Sequence, residues 1–288
     1  MTALPARDLA APTNPDFDYI RELVRRGSAI VLEPSKEYLV EARLVPLARS
    51  EGLTSIAELV ARLRAEGEGD LYRKVVEAMT TNETLFFRDL HPFDALRTTV
   101  LPELEGRRAA ERRLRIWSAA CSTGQEPYTI AMLLRENFAT LARWRIEILA
   151  TDLSSVVLAK ARDGRFGPIE VNRGLPLELR SKFFTQSGLD WKIKDEIRRM
   201  VDFQELNLAA PWPPLEPFDV VLLRNVLIYF DSETKKSILG RVRRVLRPDG
   251  YLFLGAAETT MNLDDGFERV QIGNAGGYRV KPGRGAPD

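Results

Sequence analysis

From about residue 114 onward, short apolar runs of strand length alternate with longer stretches of helical periodicity. Residues 114–118, 147–151, 219–223 and 251–254 read as strands, and 127–137, 155–162 and 232–246 as helices. That rhythm constrains the fold more than any other feature. Strands separated by helices are joined in parallel, and the helices must cover both faces of the sheet. Pro248-Asp249-Gly250 is expected to turn the chain into the last of these strands. Residues 167–201 interrupt the rhythm with a short helix (176–184), a Ser187-Gly188 turn and two β-prone runs, 191–193 and 197–201. They read as a small inserted β-subdomain.

The region ahead of the sheet is helical. Residues 1–15 are rich in Ala, Pro and Thr and are expected to be a mobile N-terminus; residues 16–90 form a helical N-terminal domain. Ser35 is placed to cap a helix with Tyr38, Ala42 and Val45 on one face, ending before Gly52. Ser55 and Glu58 have capping-box spacing ahead of Leu59, Val60 and Leu63. Leu71, Val75 and Met79 form a further stripe. Residues 91–113 read as a linker helix ending in a charged cluster (Arg107, Arg108, Glu111, Arg112, Arg113) expected to face solvent. The α/β domain then spans 114–281, and 282–288 is a tail.

Composition removes several function classes. A formal charge of +1 lacks the basic excess of a nucleic-acid binder. One cysteine, Cys121, excludes an internal disulfide or a cysteine metal cluster, and one histidine, His91, excludes a multi-histidine metal site. No metal is expected. No apolar run reaches the roughly 18 residues of a membrane span, and Arg224 and Asn225 break the longest one. The start of the chain has no signal-peptide pattern. These features predict a cytoplasmic monomer without direct membrane insertion.

Chemistry concentrates where strands end. The run IWSAACSTGQEPYTIAMLL passes from strand through a small-residue loop to a helix mouth at Glu126-Pro127. With only Gly124 in the loop it does not match the dinucleotide fingerprint. Small residues such as Ala120 let a ligand approach the main chain, and the carboxylate of Glu126 repels phosphate but welcomes an ammonium or sulfonium. Asp152 stands at the tip of the second strand, where acidic side chains bind ribose hydroxyls. Arg224 and Asn225 end an apolar strand and need partners, since burying them unpaired costs several kcal/mol. Asn207-Leu208 is positioned to offer main-chain contacts to an adenine. The segment TNETLFFRD, residues 81–89, sets Asn82, Glu83 and Thr84 beside Phe86, Phe87 and Arg88. By itself it fits an aromatic plug with a salt-bridged arginine as well as a site.

TNET–FFRD, SAACSTGQEPYT, ATDLS, LNL and RNVLIYFD occur in this order over most of the chain, from about residue 20 to 280. The chain resembles the chemotaxis receptor methyltransferases of the CheR family. The resemblance implies a Rossmann-like class I S-adenosylmethionine methyltransferase sheet, with an N-terminal all-helical domain and a small inserted β-subdomain. It implies methylation of glutamate side chains on the cytoplasmic helical region of bacterial chemoreceptors, S-adenosylmethionine as cofactor and S-adenosylhomocysteine as product. Asn82, Thr84 and Arg88 match positions lining the cofactor and catalytic site, Glu126 the residue facing the methionyl amino group, and Asp152 the one on the ribose. Asn207, Leu208, Arg224 and Asn225 match the adenosyl pocket, and Tyr229 a tyrosine near the reacting methyl. Two departures stand out. Gly255-Ala256-Ala257-Glu258 replaces a Gly-His-Ser-Glu run, so no histidine acts there. The turn at 187–190 is shorter than the Gly-bearing loop of members that dock on a receptor tether.

A glutamate nucleophile has a reference pKa of about 4.3 and is ionised at neutral pH, so no general base is required. Arg88 beside a sulfonium is repulsive unless it holds a carboxylate, of the substrate or of the cofactor. Tyr229 is expected to orient the attacking oxygen. Two other readings remain at this stage: a regulatory module that binds the cofactor without turnover, and a carboxyl methyltransferase for another protein. In the helical domain Arg21, Arg25 and Arg26 form the one basic face, although acidic residues outnumber basic ones overall.

Overall fold

The computed structural model describes residues 14–282. Most of the expected N-terminal segment and nearly all of the tail lie outside the described residues. The chain divides into two units between Thr81 and Asn82. The expected boundary at residue 90 is therefore displaced. The reason is packing: Phe86 is fully buried among aromatics of the second unit, so TNETLFFRD from Asn82 onward belongs there.

The first unit contains α1 (Asn14–Ser28), α2 (Glu37–Ser50), α3 (Ile56–Glu66) and α4 (Asp70–Ala78). Its core takes one stripe from each helix: Phe17, Ile20 and Val24; Val40, Leu44 and Ala48; Leu59, Val60 and Leu63; Leu71 and Val75. The face expected for α2 is wrong. Tyr38 is 62% exposed, and the i, i+4, i+8 set starting at Val40 is buried instead. Residues 34–36 form a separate 3₁₀ turn, so Ser35 does not cap α2. Ser55 does cap α3, accepting from the Glu58 N–H at 3.2 Å, but the Glu58 carboxylate reaches Thr54 N and Oγ rather than closing the box on Ser55. The end of α4 is held by Arg43, which donates to the carbonyls of Met79 (2.7 Å) and Thr80 (3.0 Å), oxygens a helix terminus leaves unpaired. Arg21 is not a free member of a basic face. It donates to the Leu32 carbonyl and pairs with Asp18.

The second unit opens with α5 (His91–Ala95), a π-helical turn (Leu96–Val100) and α6 (Leu101–Arg107), so the linker is helical but interrupted. Then follow β1 (Arg113–Ala119), α7 (Gln125–Asn137), β2 (Arg145–Asp152), α8 (Ser155–Asp163), β3 (Arg165–Phe166), α9 (Pro168–Asn172), α10 (Leu177–Phe183), β4 (Phe184–Ser187), β5 (Asp190–Ile193), α11 (Asp195–Arg198), β6 (Val201–Glu205), β7 (Phe218–Leu223), α12 (Ser232–Val245), β8 (Leu246–Leu254), β9 (Phe267–Ile272) and β10 (Ala275–Val280). The main sheet has the order β6-β2-β1-β7-β8-β10-β9. Its first five strands are parallel, and β10 runs antiparallel to both β8 and β9. β1 thus lies where the strand order reverses, between β2 and β7. In open α/β sheets ligands bind at such a point, beyond the carboxyl ends of the strands.

The inserted element is a three-stranded antiparallel sheet, β3-β5-β4. Residues 197–201 are not one of its strands: α11 intervenes, and Val201 opens β6 of the main sheet. Likewise Pro248-Asp249-Gly250 lies inside β8, at a register shift opposite β7. Helix α7 is buried on nearly all sides from Gln125 to Leu134. Tyr128 packs edge-on to Phe166 of β3 and Phe203 of β6, and its hydroxyl donates to the Ala161 carbonyl at 2.6 Å. Burial pushes that phenol well up from its ordinary pKa.

At the opposite end of the strands, the charged cluster is not simply solvated. Arg108 is 6% exposed. It donates to Asp219 of β7 (2.6 Å) and, through two nitrogens, to Asp249 of β8 (2.6 and 3.0 Å), while Asp219 also accepts the Arg115 N–H (2.8 Å). The carboxylates that satisfy Arg108 lie far along the chain, so nothing local in the sequence marks it. Removing it leaves the buried Asp219 with only the longer charged contact from Arg247, at 3.5 Å. Arg108→Met is expected to cost about 3–5 kcal/mol, measured by urea unfolding; a loss under about 1 kcal/mol rejects this role. Hydrogen bonds from Arg108 hold the Asp249 carboxyl below the usual carboxylate range. Its contribution is therefore present above an unfolded pKa of about 3.9 and is lost as pH falls through the lower folded value. Asp249→Asn should flatten that acid limb of the stability profile, read from urea midpoints between neutral and strongly acid pH.

Candidate cofactor and active site

The site is assembled from the tips of β1, β2, β7 and β8 and the segment 82–90. After β1 the main chain passes through left-handed conformations at Ala120 (φ 61°), Ser122 (φ 50°) and Gly124 (φ 94°). Gly124 caps α7, and a Cβ there would meet Ala161 at 3.0 Å as well as straining the backbone. The helix therefore starts at Gln125, with Pro127 inside its first turn.

The carboxylate of Asp152, at the end of β2, holds this loop. It accepts the N–H of Ser122 (2.8 Å) and of Ser154 (3.0 Å). Ser154, not Asp152, caps α8. The Ser122 hydroxyl donates to the Asn82 carbonyl at 2.8 Å, fastening TNET to the same loop, and Thr84 stands half-exposed just beyond. The Leu206 N–H donates to the Asp152 carbonyl (2.9 Å), which sets Asn207-Leu208 beside the β2 tip. Asn207 Oδ1 closes a turn on the Ala209 N–H. The Leu208 carbonyl is taken by Trp212 Nε1 (3.2 Å) and Arg241 (2.8 Å), and the Asn207 carbonyl by the Ala210 N–H (3.2 Å), so neither carbonyl is open for an adenine.

A second chain of contacts runs through Arg224. Its guanidinium donates to Glu126 (2.8 Å), to Asp89 (2.8 Å) and to the Arg88 carbonyl (2.7 Å), and it lies 5.4 Å from the Phe93 ring centre. The other Glu126 oxygen accepts the Ser118 hydroxyl at 2.8 Å. Arg224 thus finds the internal partners its burial requires, and its side chain fixes Glu126. Arg88 is a correction to the aromatic-plug reading. Its guanidinium donates to the Glu83 carbonyl (2.8 Å) and forms no ion pair among the described residues. Phe86 and Phe87 do act as plugs, on Phe166 and Phe184 and on Phe93 respectively.

Asn225 has a left-handed backbone (φ 58°), and its N–H donates to Glu258 at 2.8 Å. Glu258 also accepts from Gly255 (2.7 Å) and from Ile228 (3.2 Å), the latter in the 3₁₀ turn that carries Tyr229. The Tyr229 hydroxyl has no hydrogen-bond partner among the described residues. Sequence reasoning noticed Gly255-Ala256-Ala257-Glu258 for its missing histidine and overlooked the carboxylate that ties β7 to β8. A lone Glu just past a buried strand was the available signal. Asp89 and Ser118 were overlooked as well, and Ser122 was read only as a small residue of the loop. The Cys121 thiol is buried, and burial, then the charges of Asp152 and Glu126, push it well above its ordinary pKa, so it is not a thiolate nucleophile. His91 is exposed at the start of α5 and outside these contacts.

The donor set is unusual for a nucleotide site. Two carboxylates, Asp89 and Glu126, meet one buried guanidinium, and a third, Asp152, holds the small-residue loop. That balance opposes phosphate and suits a cationic ligand with a polar sugar. Among the described residues no group of three or more His, Cys, Asp or Glu is placed to hold a metal ion.

The family model for the CheR methyltransferase SAM-binding domain matches residues 82–275, and that for its all-alpha domain matches 15–80. The chain belongs to the CheR methyltransferase family. It is an S-adenosylmethionine-dependent methyltransferase with an all-helical N-terminal domain and a Rossmann-like sheet. Chemotaxis protein methyltransferase 1 of Pseudomonas aeruginosa is 44% identical over 273 residues, covering 93% of this chain and 98% of that one. Chemotaxis protein methyltransferase Cher2 of Pseudomonas putida is 42% identical with the same coverage, and the Escherichia coli chemotaxis protein methyltransferase is 36% identical over 256 residues, 87% of this chain and 86% of that one. No helix among the described residues is long and apolar enough to cross a membrane.

In this methyltransferase Glu258 holds three main-chain N–H groups at once. Glu258→Ala should weaken S-adenosylhomocysteine binding and lower turnover, each by about tenfold or more. Calorimetry and methyl-transfer rates check this; wild-type values for both reject a positioning role.

Proposed function

We propose that this enzyme methylates glutamate side chains in the cytoplasmic helical region of bacterial chemoreceptors, forming glutamyl methyl esters in chemotaxis. The observation that carries the reading is Arg88: a guanidinium without an ion-pair partner among the described residues, covalently next to Asp89 and hence to the Arg224–Glu126 pair. Such a group suits an incoming carboxylate and would be repelled by an amine substrate's cation. Relatives named as chemotaxis protein methyltransferases support the pathway, and the helical N-terminal unit supports a helical protein substrate. We take the protein to act as a monomer in the cytoplasm.

Asp152 and the main chain at Ala120 are the groups to hold the ribose and the loop side of S-adenosylmethionine, with Asn82, Thr84, Glu126, Asn207, Leu208 and Asn225 completing the site. Bound there, the cofactor supplies a methyl group on a positively charged sulfur. Glu126 carries its charge at the helix mouth, where the cofactor's ammonium needs it. Arg88 orients the substrate carboxylate, which is already ionised at neutral pH and needs no base. The Tyr229 hydroxyl is free to donate to that carboxylate and fix its attacking oxygen. Rate enhancement then comes chiefly from alignment, worth roughly 7–11 kcal/mol in well-oriented systems.

The test is tritium transfer from labelled S-adenosylmethionine to a receptor fragment, followed by base-labile methanol release, which carboxyl esters give and methylated amines do not. Arg88→Ala should reduce that transfer by about 10²–10³-fold, the range for removing one preorganised charge-stabilising donor. Base-stable label, or full transfer by Arg88→Ala, rejects the assignment.

A further inference from the structure

Thr129 lies in the buried stretch of α7 and has no exposed surface. A buried helical threonine has an ordinary way to satisfy its hydroxyl, and Thr129 uses it: Oγ1 donates to the Gln125 carbonyl, one turn earlier, at 2.7 Å. That bond commits the proton and leaves the oxygen's lone pairs free. One of them accepts the N–H of Phe87 at 3.2 Å. Since the proton points at Gln125, the hydroxyl meets Phe87 as an acceptor of fixed direction. Self-satisfaction within the helix does not account for this second bond.

The bond lands where the backbone is most strained. Phe87 (φ 52°), Asp89 (φ 65°) and Leu90 (φ 37°) all have positive φ, and none is a glycine. Such conformations are unfavourable for residues with side chains and persist only where surrounding contacts over-determine them. Before the turn, Phe86 packs on Phe166 and Phe184, and its carbonyl lies so close to Gly174 (φ 83°) that a Cβ there would collide with it. After the turn's first residue, Arg224 holds the Arg88 carbonyl and the Asp89 carboxylate. Between these anchors the peptide joining Phe86 to Phe87 has its oxygen against Gly174 and its N–H on Thr129. The tilt of that peptide sets the path on which the next residue, Arg88, leaves the chain.

We propose that Thr129 is a positioning residue for methyl transfer: its hydroxyl fixes the peptide before Phe87 and so aims the Arg88 guanidinium. This rests on the reading of Arg88 as the group that orients the substrate carboxylate, and deepens it. Fully buried, Thr129 touches no substrate itself. Without its oxygen the Phe87 N–H loses its acceptor and the turn is free to relax toward ordinary backbone. Arg88 then moves off the line of attack, and alignment is what the reaction depends on.

The experiment uses the full-length enzyme and a chemoreceptor cytoplasmic fragment. Thr129→Val keeps the shape and removes the hydroxyl; it should lower kcat about tenfold or more while S-adenosylhomocysteine affinity stays within about twofold. Thr129→Ser restores both hydrogen bonds and should recover most of the loss. In an Arg88→Ala background Thr129→Val should cost nothing further, because the group it aims is gone. A serine variant as impaired as the valine one, losses that multiply with Arg88→Ala, or an affinity that falls in step with kcat each overturns the proposal. Should Thr129→Val fail to fold, hydrogen exchange of the Phe87 amide in the wild-type enzyme decides: protection supports the bond, and exchange at the rate of an open turn overturns it. Wild-type kcat in Thr129→Val beside an impaired Arg88→Ala overturns this inference alone. Full transfer by Arg88→Ala overturns the Arg88 reading and the inference with it.

Discussion

The guanidinium of Arg224 is the joint of the catalytic unit. It leaves the end of a fully buried strand and finds Glu126 on α7, Asp89 on the 82–90 segment and the Arg88 carbonyl, all within 2.8 Å. Three pieces of chain distant in sequence are thereby fixed to one planar group, whose fork geometry tolerates little displacement of any of them. Ion pairs buried in this way add little net stability but are costly to break from one side. Their value here is positional. The helix mouth, the tip of β7 and the arginine-bearing segment keep a single arrangement.

Charge balance follows from the same joint. One cation faces two carboxylates, with the Asp152 carboxylate nearby on β2, so the cofactor crevice keeps an excess of negative charge. The loop beyond β1 adds main-chain groups in left-handed conformations in place of the glycines of a dinucleotide site. Together these features separate an alkyl-cation donor from a phosphate-bearing one without any sequence fingerprint for either. The histidine-poor composition agrees with a carboxylate nucleophile, which needs no proton removed.

Much of this was legible from one-dimensional pattern. The parallel sheet showed in the alternation of apolar runs and helices, because strands such as β7 are buried on both faces and read as continuous hydrophobic stretches. Glu126, Asp152, Arg224 and Asn225 stood out because polar residues at strand ends demand partners. What the sequence did not reveal was which partner each would find. For Arg224 the choice between an internal partner and a ligand stayed open because Asp89 and Glu126 lie far away along the chain. Arg108 was read as solvated because Asp219 and Asp249 come more than a hundred residues later. Glu258 was overlooked because its partners are backbone groups, which carry no residue signature. The α2 face was misplaced because Tyr38 is apolar enough to suggest burial while Val40, Leu44 and Ala48 form the better-spaced stripe. For the three polar residues the long-range pairing was invisible, whereas in α2 the local stripe itself was misassigned.

The segment carrying Arg88 is secured from two directions, by Arg224 on one side and by Phe86 on the other. Phe86 inserts between Phe166 and Phe184, at the roots of the small sheet, while the far end of that sheet is a tight hairpin with Leu189 projecting almost fully exposed. Mechanical coupling to the chemistry therefore ends at the aromatic roots. The outer hairpin is insulated, and evolution is at liberty to lengthen, shorten or recharge it as docking needs change, leaving the reacting geometry undisturbed.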